Sequence, residues 1–125
     1  MKSDYPIHII RVGIAITFLW VGVLIFKSPE AWGQFLLPWA AGLLPIPLKE
    51  AMIGTAILDF AIGLFLLLDF WTPLFAAIGL LHLLSVLVVS GINDVTVRDI
   101  GLAAGLLGLV IYYWPPQALS GRAKS

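Results

Sequence analysis

The sequence predicts an all-α integral membrane protein: a four-helix bundle with a short interfacial helix or loop between helices 1 and 2. Its composition is 61% hydrophobic and only 11% charged, with a mean hydropathy of +1.05. A soluble domain of 125 residues needs far more polar surface to cover one core. The apolar residues also fall into four runs, and proline, glycine and capping residues punctuate the gaps between them.

The expected spans lie at about residues 7–26, 51–69, 73–92 and 96–114, within a single domain covering 1–125. The first run, Ile7–Phe26, is apolar except for His8 and Arg11. It is longer than the ~7–15-residue core of a secretory signal and has no A-x-A cleavage site before Lys27, so it reads as a retained helix. Arg11 is expected to snorkel to the membrane surface. Next, Ser28-Pro29-Glu30 can start a short helix with Trp32, Phe35 and Leu36 on one face. That segment either lies in the interface on its aromatic side or packs on the bundle as an ordered loop. The three prolines between Pro38 and Pro47 argue against a regular helix there.

The second run, Ala51–Leu68, contains Asp59 as its one charge, and the third, Leu74–Ile92, contains His82 and no formal charge. Thr72-Pro73 supplies an N-cap and an N1 proline, which makes Asp69–Thr72 a tight turn between the two. The fourth run, Ile100–Trp114, is short for the ~20 residues of a spanning helix. It reaches that length if the helix starts near Thr96, where Thr96-x-x-Asp99 has the form of a capping box with Arg98 and Asp99 at the interface. Gly101-x-x-x-Gly105 and Ala104-x-x-x-Gly108 provide small residues for close helix packing, within the chain or between subunits.

Four spans put both termini on one side with Lys2, Arg122 and Lys124, and put Lys27, Lys49 and Arg98 on the other. This slight bias favours cytoplasmic termini. Tyr5, Trp71, Tyr112, Tyr113 and Trp114 are expected at one interface, and Trp32 and Trp39 at the other.

An ionisable group at membrane depth costs roughly 2.5–3.5 kcal/mol on insertion scales, which makes Asp59 and His82 the leading candidate residues. Counted from Trp71, Asp59 lies twelve residues before the turn and His82 eleven after it. At 1.5 Å per residue both sit about 17 Å from the turn on antiparallel neighbours. Thr55 and Ser85 lie one turn further on, toward Arg98 and Asp99, so the four polar residues could form a column opening at that loop. Two roles stay open for it: interhelical hydrogen bonding that only satisfies its members, and proton, quinone or ligand chemistry.

Other chemistries lack their residues. Seven basic and seven acidic side chains cancel, so nothing marks nucleic acid as a partner. With no cysteine there is no disulfide, CxxC or thiolate metal site. The sequence has no P-loop, dinucleotide fingerprint, HExxH or nucleophile elbow. Two histidines far apart in depth make a protein-only metal centre unexpected, and one intramembrane histidine offers haem a single axial bond.

Arg11-Val-Gly13, Lys27, Trp32-Gly-Gln-Phe-Leu-Leu-Pro38, Gly54-x4-Asp59-x3-Gly63-Leu and Val97-Arg98-Asp99-Ile-Gly101 follow one another in an order that resembles the DoxX/DoxD-like family of small four-helix membrane proteins. The resemblance runs over about residues 7–114. It implies a bacterial or archaeal cytoplasmic membrane and an association with redox, sulfur or quinone-linked systems, with Asp59 at the family's acid. On this reading the chain is an accessory membrane subunit of an electron-transfer or quinone-linked complex. The isolated chain is not expected to be an enzyme, though it can be a subunit of an oxidoreductase. The redox centres would then lie in other membrane subunits, and quinone is the cofactor this reading allows. The alternatives are a non-catalytic assembly subunit that docks through Trp32, Trp39, Arg98 and Asp99, and a small-solute transporter acting as an oligomer.

Overall fold

The computed structural model describes residues 5–114. Among them every regular element is helical: α1 Tyr5–Lys27, α2 Pro29–Gly33, α3 Pro38–Gly42, α4 Leu48–Leu67, α5 Thr72–Ser90 and α6 Arg98–Tyr113. Lys2, Arg122 and Lys124, counted above for the side of the termini, lie outside the described residues. Helices α1, α4 and α5 are long and apolar enough to cross a membrane. With 16 residues, α6 is shorter, about 24 Å at 1.5 Å per residue.

The reason lies just before α6. Thr96 does not cap it: the N-cap position is Val97 and makes no side-chain capping bond. The Thr96 hydroxyl instead accepts from the Asn93 amide and donates to the Gly91 carbonyl, while Asn93 Oδ1 accepts the amides of Val95 and Thr96 at 2.8 and 2.9 Å. This side-chain-closed turn uses the hydroxyl that a capping box needs. Thr72 departs from expectation in a similar way. Trp71, at φ 52°, occupies the N-cap of α5, and the Thr72 hydroxyl donates to the carboxylate of Asp69. In the connector, Pro38 opens a helical turn rather than excluding one, because an N1 proline loses no helical hydrogen bond.

Packing is closest between α1 and α4 and next closest between α5 and α6, with α4 and α5 meeting less extensively. A cluster that includes Ile14, Phe18, Ile62, Leu66, Leu83, Leu106 and Leu109 fills the space between these four helices. The outer faces are no less apolar. Trp20, Leu81 and Ile111 are 67%, 68% and 65% exposed, one on each of α1, α5 and α6. Helices that are apolar inside and out fit a lipid solvent rather than water.

The two ends of the molecule differ. At the end where α4 turns into α5, Arg11 is buried, not snorkelling. Its Nη1 donates to the carbonyls of Leu66 and Leu67 at 2.6 and 2.9 Å, and Nε lies 3.7 Å from Asp69. These carbonyls belong to the last turn of α4, whose acceptors have few helical partners. Tyr113 is buried at this end beside Arg11 and Asp69, whereas Tyr5, Trp71 and Trp114 are exposed there. At the opposite end the connector folds over the helices, and the Leu37 amide donates to the Val89 carbonyl at 2.8 Å. Trp39 is exposed on that connector, but Trp32 turns inward.

Candidate functional site: a carboxylate–imidazole pair in an apolar cavity

Asp59 projects from the middle of α4 and His82 from the middle of α5. His82 Nε2 lies 2.9 Å from Asp59 Oδ1, and the two side chains are 12% and 6% exposed. Equal depth on antiparallel helices therefore becomes a direct contact. In hydrocarbon each group relieves the other of an unmet hydrogen bond. With Nε2 directed at the carboxylate, Nδ1 is left as an acceptor in neutral imidazole and a donor in imidazolium.

The pair forms part of the wall of a cavity of about 950 Å³. The cavity occupies the space between α4 and α5, with further walls from α1, α6 and the connector. Thr55 and Ser85 line it, but neither bonds to the pair. The Thr55 hydroxyl donates to the Ala51 carbonyl at 3.1 Å and the Ser85 hydroxyl to the His82 carbonyl at 2.7 Å. Both donate within their own helices, which leaves oxygen lone pairs for other partners. Arg98 and Asp99 line the end of the cavity nearest the α5–α6 loop. Arg98 Nε donates to the Val95 carbonyl at 3.3 Å, and the partly buried Asp99 carboxylate lies within electrostatic reach of Asp59, Arg98 and His82.

The structure thus brings Asp59 and His82 together and gathers Thr55, Ser85, Arg98, Asp99 and Trp32 around one space. Trp39 is not among its walls. Further walls come from Phe18 and Val21 on α1 and from Ala40 and Leu44 in the connector, none of which stands out in the sequence. Their apolar side chains carry no signal that separates a cavity wall from a lipid-facing or core position. Among the described residues no group of three or more His, Cys, Asp or Glu is placed to hold a metal ion. Comparison with family models, curated proteins and solved structures finds no match to this chain.

Proposed function

We propose that this chain is a DoxX-like four-helix membrane subunit of a quinone-linked redox complex, in which the cavity beside Asp59 and His82 holds the quinone head group. The supporting observation is the placement of one buried carboxylate–imidazole pair in the wall of an otherwise mainly apolar space. About 950 Å³ lies within the size range of small-molecule sites, which combine apolar walls with a few placed polar groups. A quinone fits that chemistry: an apolar ring and tail with carbonyl oxygens that accept hydrogen bonds. When bound it would supply a two-electron, two-proton quinone/quinol couple, the electrons coming from or going to redox centres of a partner subunit. Asp59 fixes the imidazole through Nε2 and directs Nδ1 to give a proton to, or take one from, a ligand oxygen. The outer apolar faces contact lipid and the partner subunit, and the termini face the cytoplasm.

The test is titration of the protein in lipid nanodiscs with a short-chain ubiquinone, followed by quenching of tryptophan fluorescence, since Trp32 lines the cavity. Asp59→Asn is expected to weaken binding about tenfold, equivalent to ~1.4 kcal/mol, at unchanged helical content. Wild-type protein that does not bind, or equal affinity in the variant, overturns the reading.

A further inference from the structure

Around the Asp59–His82 pair, the two directions along the helices are unlike each other. Toward the α4–α5 turn the next layer is sealed. Ile62 follows Asp59 by one turn on α4, and Gly79 precedes His82 by one turn on α5. A Cβ placed on Gly79 would lie 3.3 Å from both Ile62 Cγ2 and Leu106 Cδ1 and 3.4 Å from Phe18 Cζ. Side chains of α1, α4 and α6 therefore converge directly beneath the pair, and Ile62 and Leu106 are fully buried. Leu66 and Ala76, also fully buried, continue the seal toward the turn. The one hydroxyl near this layer, that of Thr17 on α1, lines the cavity and donates to the Gly13 carbonyl of its own helix at 3.0 Å. The side chains that meet around Gly79 offer a proton no polar atom.

Toward the α5–α6 loop the cavity continues past the pair to Asp99. The hydroxyls of Thr55 and Ser85 line the way and offer lone pairs to water, which occupies cavities that are both polar and roomy. Asp99 is partly buried and interacts electrostatically with Asp59 and His82. Among the described residues its carboxylate makes no hydrogen bond and no ion pair within 4.0 Å, which leaves its oxygens to cavity water. The titratable and charged groups of the cavity wall are Asp59 on α4, His82 on α5, and Arg98 and Asp99 on α6; α1 and the connector contribute none.

We infer that the Asp59–His82 pair exchanges its proton with water through Asp99, from the α5–α6 side of the membrane and not from the side of the α4–α5 turn. This rests on the reading of the pair as a proton-handling ligand site, and it adds a route and a direction. The proton moves between water and the Asp99 carboxylate, then along cavity water to the pair, with no change in oxidation state.

The experiment uses the full chain in phosphatidylcholine vesicles with a photoacid confined to one side. Protonation of His82 is followed by time-resolved infrared spectroscopy of its imidazole band, identified by its loss in His82→Gln. Because the chain has no cysteine, Asp94→Cys labelled with an impermeant thiol reagent reports which side the loop faces. The band is expected to respond to a proton pulse on the loop side alone. Asp99→Asn should slow that response roughly 10²-fold, the lower end of what a placed proton-transfer group contributes. Asp99→Glu should restore it, and Asp94→Asn, which alters an exposed acid outside the cavity wall, should leave it unchanged. An unaltered rate in Asp99→Asn, a response from the α4–α5 side, or no His82 response to pH overturns the inference. If Asp99→Asn fails to fold, the sidedness of the wild-type response decides. No quinone is present, so failure here and failure of quinone binding are separately visible.

Discussion

A guanidinium brings five hydrogen-bond donors, and at a buried position such as Arg11 they need acceptors from the protein. Arg11 meets this by reaching the last carbonyls of α4 and the carboxylate of Asp69, which sits at φ 55° and also accepts from Thr72. One side chain of α1 thereby fastens the turn between α4 and α5. Hydrogen bonds to charged groups contribute about 1.5–3 kcal/mol each, so Arg11→Leu is expected to lower stability by at least about that much. Thermal unfolding in mild detergent measures it, and an unchanged midpoint would remove the fastening role. Arg11→Lys should recover only part of the loss, because a single ammonium cannot serve both carbonyls and Asp69 from one fork. Of the partners of Arg11 only His8, which accepts from its Nε at 3.3 Å, is near in the sequence. Those that fasten the turn lie 55 and more residues away, two of them backbone atoms, and are not legible there. The Asp59–His82 contact is more legible because a tight turn fixes the depth of both groups. What depth leaves open is helix rotation, and only packing sets that.

At the scale of the element, the α1–α4 crossing explains which glycines of the second apolar segment have a packing role. A Cβ on Gly63 would lie 2.8 Å from both the Ala15 carbonyl oxygen and the Leu19 amide nitrogen. A Cβ on Gly22 would come within 3.0 Å of the backbone of Ala56 and Phe60. Each helix thus presents a glycine to the main chain of the other, the close approach that small residues permit. Gly54 has nothing within 4 Å of its Cβ position. Gly63→Ala is therefore expected to push α1 and α4 apart at a cost of about 1–3 kcal/mol, whereas Gly54→Ala is neutral or slightly stabilising. Detergent-resistance midpoints of the two variants make the comparison, and equal midpoints would contradict the crossing. On α6 the small residues divide differently: Gly105 packs against Ile14, while Gly101 and Gly108 meet nothing within 4 Å. Small-residue spacing in the sequence announces a close packing surface without saying which of its members use it.

For the molecule as a whole, the close α1–α4 and α5–α6 contacts leave the looser α4–α5 meeting as the place where space opens, and the connector covers it at one end. The helical class and the apolar segments follow from composition and punctuation. The cavity does not, because it is made of ordinary apolar side chains held apart. This separates a ligand site from a purely structural pair. Val86 lies one turn beyond His82 on α5 and lines the cavity. Val86→Trp places an indole in that space while leaving Asp59 and His82 unsubstituted. Filling a real void restores lost packing contacts, so the unfolding midpoint is expected to stay level or rise. Quinone affinity in nanodiscs should meanwhile fall at least about tenfold, or ~1.4 kcal/mol. Asp59→Asn should have the complementary signature in the same assay, losing affinity through a missing hydrogen bond while the cavity stays open. If Val86→Trp instead unfolds the protein, the space is too small for a ring and cannot hold a quinone head group. If it leaves quinone affinity unchanged, the ligand lies elsewhere and Asp59 and His82 serve only to hold α4 and α5 in register.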